Sequence, residues 1–231
     1  MYRDGETMRL EEVRDLDINP TAILDIGAHT GQFYSWAKRV WPSSVIWMVE
    51  ANPLHEEILK NMTQFTNDEY LVMAVGDEER DVTFYTRSDK PHTEGNSYYK
   101  EANYWDMPQL VQESNVRLQK LDNLFEDDSI FEVIKLDTQG SELDILRGGK
   151  NLISKASAVI LEVSYFEWNL GAPLVDEIID YMESIGFKEF IEIGEHYWPG
   201  GSSPPGITGM ETGKTIVQRD LCFYNNKENI K

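Results

Sequence analysis

The sequence predicts a doubly wound α/β domain, in which a mostly parallel sheet of seven strands carries helices on both faces and ends in an antiparallel C-terminal hairpin. Short apolar runs, typical of buried strands, alternate with helical patterns along the chain. Several of these runs end in an acidic residue or glycine, where a parallel sheet presents its ligand-binding edge. At 231 residues and 41% hydrophobic content, the whole chain fits one domain.

The first unit is the run ILDIGAHTGQ, residues 23–32. An apolar strand reaches Asp25 and is followed by Gly27 and Gly31, which allow a tight turn and close approach of a ligand to the next helix N-terminus. The helix is predicted from the spacing of Phe33, Trp36, Ala37 and Val40, and Pro42 ends it.

The second unit is the strand 45–50, which ends at Glu50 and places a carboxylate where a ribose presents its hydroxyls. The glycines are spaced GxxxG rather than GxGxxG, and Asp25 would repel a pyrophosphate but attract a cation. The pattern therefore predicts a ligand with one ribose and no phosphate. A tight strand-to-helix turn without a ligand is the structural alternative.

The middle of the chain is less regular. A helix is predicted from Pro53, with Leu54, Ile58 and Met62 on one side. Strands are then predicted at 70–75, 82–86 and 116–121. Residues 87–115 lose periodicity and are predicted to form a loop over the active site.

The C-terminal half returns to strand and helix units. A buried strand is predicted at 131–137, followed by a helix through Leu143, Leu146 and Leu152 in which Ser141 and Asp144 form a capping box. Further predicted elements are a strand at 158–164, a helix that Gly186 ends, strands at 187–193 and 215–224, and a second active-site loop at 196–213.

Composition excludes some functions. The net charge of −20 disfavours nucleic acid as a partner. Cys222, the single cysteine, excludes an internal disulfide and is predicted to be a buried apolar side chain. Residues 1–19 are predicted to be a helical extension rather than a signal peptide, no run has the length of a membrane span, and a cytoplasmic location follows as an expectation. The oligomeric state stays open.

Five motifs in order, at residues 25–33, 49–53, 74–77, 136–148 and 161–163, resemble the FkbM family of S-adenosylmethionine-dependent methyltransferases. The resemblance covers roughly residues 20–190 and is most specific from Lys135 to Gly148. It implies a Rossmann-like class I methyltransferase fold with S-adenosylmethionine as the cofactor.

The resemblance also implies roles for individual residues. Asp25, Gly27 and Gly31 would line the methionine end of the cofactor, Glu50 would bind the ribose hydroxyls, and Asp137 would face the transferred methyl group. The cofactor-binding residues expected on this basis are Asp25, Gly27, Ala28, His29, Gly31, Glu50, Ala51, Gly76, Asp77 and Asp137. Family members commonly have asparagine where this chain has His29.

The predicted reaction is O-methylation of a small molecule or glycan, with Asp137 and Glu162 as the catalytic carboxylates. His29, His92 and His196 are lesser candidates for the base, and His55 is expected on the outer face of its helix. No metal is predicted, because Asp137 and Glu162 lack a convincing third ligand in the sequence.

Acceptor contacts are expected from aromatic residues and from the small-residue turn 95–97, although packing explains the aromatic residues of the second group about as well. The aromatic residues are Tyr98, Tyr99, Tyr104 and Trp105, and Tyr165, Phe166 and Trp168. Two other functions remain open at this point: a nicotinamide-dependent oxidoreductase, and a non-catalytic module that binds S-adenosylmethionine or S-adenosylhomocysteine.

Overall fold

The structure of the protein, a computed structural model, describes residues 8–90, 95–102, 108–200 and 207–225. The strands are β1 (Ala22–Ile26), β2 (Val45–Glu50), β3 (Glu69–Val72), β4 (Ala74–Gly76), β5 (Asp81–Arg87), β6 (Val111–Lys120), β7 (Val133–Leu136), β8 (Ala158–Ser164), β9 (Glu189–Tyr197) and β10 (Ile216–Tyr224). The α-helices are α1 (Leu10–Arg14), α2 (Gln32–Val40), α3 (Glu56–Thr63), α4 (Glu142–Gly148), α5 (Lys150–Ile153) and α6 (Val175–Ser184).

Seven strands form the main sheet in the order β3-β2-β1-β7-β8-β10-β9. The first five are parallel to one another, and β10 runs antiparallel to both β8 and β9. The predicted fold class is confirmed, including the C-terminal antiparallel hairpin. Strand order reverses at β1, whose neighbours are β2 and β7, and ligands bind at such reversals in open α/β sheets.

Each face of the sheet has its own apolar core, because successive strand residues point to opposite faces. Leu24 and Leu136 pack with Leu146 of α4 and Ile178 of α6 in one core. On the opposite face, Ile23, Val133 and Ile160 pack with residues of α1, α2 and α3. Cys222 is fully buried in the second core, as predicted, and burial raises the pKa of its thiol to about 12.

The predicted single strand 70–75 is wrong, because the chain changes sheets at Met73. Residues through Val72 pair with β2, and the Met73 N–H donates to the carbonyl of Glu50 at 2.9 Å. The next three residues form β4 in a separate three-stranded sheet, ordered β4-β6-β5. Since β6 begins at Val111, the irregular segment is shorter than the predicted 87–115.

The predicted helix through Leu143 and Leu152 is two helices, because glycines bring backbone into close contact. A Cβ at Gly148 would lie 1.9 Å from the carbonyl oxygen of Gly76, and one at Gly149 would lie 2.4 Å from the side chain of Leu121.

The predicted capping box is also wrong. Ser141 makes no side-chain cap, and the Glu142 carboxylate accepts instead from the N–H groups of Thr138 at 2.7 Å and Gly140 at 3.0 Å. Asp144 accepts from the hydroxyls of Tyr98 and Tyr99 at 3.2 and 2.9 Å, which attaches the 95–102 segment to α4.

The ends of the chain differ in how far they match expectation. Of the predicted N-terminal extension 1–19, residues 8–19 contain the short helix α1, and residues 1–7 lie outside the described residues. The hairpin strand β9 extends to Tyr197, two residues into the predicted 196–213 loop. Within the described ranges, no helix has the length and apolar character needed to cross a membrane.

Asp68 attaches α2 to the sheet. Its buried carboxylate accepts hydrogen bonds from the Tyr34 hydroxyl at 2.8 Å, from Lys38 Nζ at 2.7 Å and from the Ile46 N–H at 2.8 Å. We expect Asp68→Ala to lower the free energy of unfolding by about 2–4 kcal/mol, because it leaves buried donors without their acceptor. Urea denaturation measures the change.

The matched control is Glu211→Gln, which breaks the exposed pair with Lys214 and should change stability by less than about 0.5 kcal/mol. Burial raises the pKa of Asp68, but Lys38 and the other donors outweigh burial and hold it below its ordinary value. Its stabilising effect is therefore fully present above the ordinary carboxyl pKa and is lost as the pH falls from there through the lowered pKa of the folded state. A loss under about 1 kcal/mol in Asp68→Ala would contradict this account.

Candidate functional site

A cavity of about 220 Å³ lies at the carboxyl ends of β1, β2, β7 and β8. Its polar lining comes from the loops and last residues of these strands: Gly27, Ala28, His29, Glu50, Ala51, Asp137, Thr138, Gln139 and Glu162. Apolar side chains and the segment 96–98 complete it, including Phe33, Val75, Phe84, Ile145, Asn96, Ser97 and Tyr98. The strand-end residues therefore meet at one edge, as the sequence predicts.

Gly27 makes the sharp turn that follows β1. Its φ is +81°, and a Cβ at this position would lie 1.9 Å from the carbonyl oxygen of Asp137. The N–H groups of Gly27 and Ala28 donate to the carbonyl of Val49 at 2.9 and 3.1 Å. Only glycine fits here, because the turn packs directly against the backbone that follows β7, and this places Gly27 in the lining of the cavity.

Glu50 is a buried carboxylate held by backbone donors. It accepts from the His29 N–H at 2.8 Å and from the Asn52 N–H at 2.7 Å. Burial raises the pKa of Glu50, but the His55 ring and these two N–H groups outweigh burial and lower it overall. Glu50 is therefore an ionised acceptor at the wall of the cavity.

His55 does not lie on the outer face of its helix, so that expectation is wrong. It is 1% exposed, its Nδ1 lies 3.6 Å from Glu50 Oε1, and its ring meets the ring of His29 edge-on at 4.4 Å. Asn52 explains the placement, because its side chain accepts from the Leu54 N–H and starts a short 3₁₀ turn. That turn carries His55 inward beside Glu50.

Lys135 is a buried cation beneath the cavity, and the sequence analysis gave it no role. Its Nζ lies 3.4 Å from both Asp25 Oδ1 and Asp137 Oδ2, and donates to the carbonyl of Gly27 at 3.2 Å. A lysine inside the apolar run FEVIKLD was the available signal, since buried lysines are almost always paired.

Asp25 is fully buried and is not one of the residues that line the cavity. Burial raises the pKa of Asp25 to about 6 against the opposing effect of Lys135. Burial also lowers the pKa of Lys135, but Asp137 and Asp25 outweigh it and raise the pKa above its ordinary value.

Asp137 and Glu162 are joined by one amide. Gln139 Nε2 donates to Asp137 Oδ1 at 2.9 Å and to Glu162 Oε2 at 2.7 Å, and Gln218 Nε2 donates to the same Glu162 oxygen at 2.8 Å. Burial and repulsion from Asp137 raise the pKa of Glu162 well above its ordinary value. Burial also acts to raise the pKa of Asp137, but Lys135 and Gln139 lower it overall.

His196 lies in β9, so its expected place in a polar loop is wrong. Its Nε2 lies 3.1 Å from Asp220 Oδ2 and 3.7 Å from Glu162 Oε1. Burial lowers the pKa of His196, but Asp220 and Glu162 outweigh burial and raise it to about 9. The strand pairing of β8, β9 and β10 therefore brings a histidine and a second aspartate to Glu162.

The other predicted site residues fall into two groups. Of the described residues, Gly31, Gly76 and Asp77 lie outside the cavity lining: a Cβ at Gly31 would meet Met62, and Asp77 pairs with Arg80 at 3.4 Å. His92, Tyr104 and Trp105 lie outside the described residues.

The second aromatic group lies away from the cavity lining. Trp168 stacks on Trp198 with ring centroids 5.2 Å apart, and the guanidinium of Arg219 lies over the ring of Tyr165. These contacts favour the packing explanation for this group.

Comparison with solved structures supports the fold. The precorrin-6y C5,15-methyltransferase of Geobacter metallireducens superposes with a TM-score of 0.51 and 13% identity, over 98% of this chain and 97% of that chain. The N-terminal domain of EvdMO1, crystallised with SAH bound, superposes with a TM-score of 0.50 and 11% identity, over 94% of this chain and 80% of that chain. No curated protein sequence matches the chain.

A model of the family described as the methyltransferase FkbM domain matches residues 25–189. The matched region contains the Gly27 turn, Glu50, Lys135, Asp137 and Glu162, and it accounts for well over half of the chain. The chain belongs to the FkbM family of S-adenosylmethionine-dependent methyltransferases.

Proposed function

We propose that this methyltransferase transfers the methyl group of S-adenosylmethionine to a hydroxyl of a small molecule or glycan. The observation that supports it most is the partly buried pair Asp137 and Glu162, joined through Gln139 at the cavity wall. A hydroxyl nucleophile has to lose a proton as it is methylated, and carboxylates within reach of the acceptor are suited to receive it.

The chain's own residues fit the cofactor. The Gly27 turn places loop backbone in the lining of the cavity, and the ionised Glu50 is a suitable acceptor for both ribose hydroxyls. Apolar residues such as Met73, Val75 and Ile145 offer a surface for the adenine ring. When bound, S-adenosylmethionine supplies an electrophilic methyl group, whose bond to sulfur breaks as its bond to the acceptor oxygen forms.

The other residues at and near the Gly27 loop have different proposed roles. Ala28, His29 and Ala51 line the cavity and are proposed to contact the cofactor directly. Gly31 and Asp25 lie behind the loop, where they shape α2 and fix Lys135. The expectation that Gly76 and Asp77 bind the cofactor stays a prediction.

Asp137 and Glu162 have different proposed tasks because their environments differ. Asp137 is held as an anion by Lys135 and suits a position facing the sulfonium and its methyl group. Burial and the neighbouring Asp137 make Glu162 the more basic carboxylate, so the pair as a unit takes the acceptor's proton. Gln139 and Gln218 orient Glu162 for this task.

Family membership favours methyl transfer over the nicotinamide-dependent oxidoreductase that the sequence left open. The net charge of −20 disfavours a polyanionic acceptor such as nucleic acid, through repulsion at long range. The cytoplasmic location stays a prediction.

Glu50→Ala tests the cofactor half of the cavity, which is the part lined by the Gly27 loop and Glu50. We expect it to weaken the binding of S-adenosylmethionine by at least about tenfold, because each charged hydrogen bond to the ribose contributes about 1.5–3 kcal/mol. Isothermal titration calorimetry measures the dissociation constant, and Glu57→Gln, an exposed change on α3, is the control that should bind as the native chain does. Heat with NAD and none with S-adenosylmethionine would contradict the assignment.

Glu162→Gln tests the acceptor half of the cavity, which is the part lined by Asp137, Gln139 and Glu162. With the native chain, a panel of sugar glycosides, vicinal diols and phenols should give S-adenosylhomocysteine and a methyl ether, identified by mass and NMR spectroscopy. We expect Glu162→Gln to lower kcat on the active acceptor by about 100- to 10,000-fold, the usual contribution of a positioned base.

Glu57→Gln should keep the native rate in the same assay. Binding of S-adenosylhomocysteine should change by less than about threefold in Glu162→Gln, since this residue is proposed to act on the acceptor. Methylation at nitrogen or carbon, or a native rate in Glu162→Gln, would contradict O-methylation with this pair. Cofactor binding without turnover of any acceptor would favour the non-catalytic module.

A further inference from the structure

Three potential metal ligands meet where β8, β9 and β10 lie side by side. Asp220 of β10 pairs directly with Glu162 of β8 and with Gly194 of β9. His196 Nε2 lies 3.1 Å from Asp220 Oδ2 and 3.7 Å from Glu162 Oε1, and one ligand atom from each of the three residues lies within 4.8 Å of the others. Ligand atoms about 2.0–2.2 Å from a shared ion lie roughly 3.0–3.5 Å apart, so small side-chain adjustments bring all three into a coordination sphere.

The register of β9 aims His196 at this cluster. Leu221 pairs with Glu192 and Asp220 with Gly194, so β9 contains one extra residue, Ile193, at this point. An extra residue shifts the alternation of side chains by one position. In a regular strand Glu195 would share the face of Ile191 and Ile193, whereas here His196 takes that face.

Glu195 points to the opposite side of the sheet. Its carboxylate lies 3.2 Å from Arg219 NH2, and the same guanidinium lies 2.6 Å from Glu192. The bulge therefore supplies an imidazole to the cluster and directs a carboxylate away from it.

Gly194 provides the space for the Asp220 carboxylate. A Cβ at Gly194 would lie 2.0 Å from Asp220 Oδ2, so any other residue would displace this oxygen from His196 and Glu162. Asp220 is 1% exposed, while Glu162 and His196 line the cavity. The cluster thus has a buried side, formed by Asp220, and a side open to the proposed acceptor.

We propose that Glu162, His196 and Asp220 bind one divalent ion of the manganese or zinc class. One imidazole and two carboxylates form a mixed nitrogen and oxygen ligand set that suits these ions. The negative charge at the site supports a cation, because Glu162 and Asp220 lie side by side on β8 and β10, and Asp137 lies one hydrogen-bonded amide away from Glu162. No third ligand was predictable next to Asp137 and Glu162, because the structure groups Glu162 with residues about 35–60 positions later in the chain.

The ion would act on the acceptor, a role that rests on the proposed function. Its open coordination positions face the cavity and suit a hydroxyl next to a second oxygen, as in a vicinal diol or a hydroxy acid. Coordination weakens the O–H bond, and the proton passes to the hydrogen-bonded pair of Asp137 and Glu162, as in the proposed function. The oxygen then forms its bond to the methyl carbon while the carbon–sulfur bond breaks, and sulfur keeps the electron pair. Neither an oxidant nor a reductant is required.

The test is a metal titration of the full chain after removal of metals with a chelator. Mn²⁺ binding is followed by electron paramagnetic resonance, and Zn²⁺ binding by calorimetry. We expect one ion per chain, and at least about tenfold weaker binding in Asp220→Asn and in His196→Gln, which corresponds to about 1.4 kcal/mol. Glu195→Gln removes the same charge as Asp220→Asn from the neighbouring strand but leaves the cluster intact, so it should bind as the native chain does.

Titration of each variant with S-adenosylhomocysteine shows whether the fold and the cofactor half are intact. Variants that keep this binding and lose the ion support the proposal. A native chain that binds S-adenosylhomocysteine but neither ion overturns the metal site alone, as does an ion that Asp220→Asn and His196→Gln both still bind. A chain that binds the ion but not S-adenosylhomocysteine would instead overturn the proposed function.

Discussion

The buried ion group of Asp25, Lys135 and Asp137 is the interaction on which the site depends. Lys135 lies on the central strand β7, and its ammonium bridges the carboxylates at 3.4 Å while also donating to the carbonyl of Gly27. Burying these charges costs several kcal/mol per ion, and only close pairing offsets that cost. The arrangement therefore fixes β1, β7 and the Gly27 loop relative to one another, and these elements determine the shape of the cavity.

The charge pattern of the cavity follows from the same group. Lys135 stabilises Asp137 as an anion, and an anionic Asp137 then opposes ionisation of Glu162 across the Gln139 bridge. Two chemically similar carboxyl groups thus acquire different proton affinities from their surroundings. A site that binds a cationic methyl donor and also accepts a proton benefits from such a division.

Much of the fold was predictable, because it depends on local signals. The apolar runs and the Gly27 turn predict β1, β2, β7 and β8 and their order along the chain. The place of Glu50 in the site is predicted by its position at the end of β2. The change of sheet at Met73 was not predictable, since Tyr70 to Val75 is continuously apolar. Met73 makes the last backbone hydrogen bond to β2, at Glu50, and the next residues belong to β4 in the other sheet. Periodicity cannot show when a chain changes sheets.

The direction in which a side chain points after a short turn or a β-bulge was also not predictable from the sequence. His55 points inward because of a short turn that Asn52 caps, and His196 points inward because of one extra residue in β9. Both histidines contact the carboxylates of the cavity, and no spacing rule places either of them there. The sequence predicts the carboxylates Glu50, Asp137 and Glu162. Pairing between strands far apart in the chain brings His196 and Asp220 to Glu162.

The two halves of the cavity differ in how they are held. Glu50 accepts from backbone N–H groups, and the loop beside it is fixed by the Gly27 turn, so this half keeps its shape as long as the fold does. Glu162 is instead held by the side chains of Gln139 and Gln218 and faces His196, all of which can rotate or be substituted without changing the backbone. Under the proposed function, the cofactor contacts the half that is held by backbone, and the acceptor contacts the half that is held by side chains. This difference explains why the sequence identifies the methyl donor more readily than the acceptor.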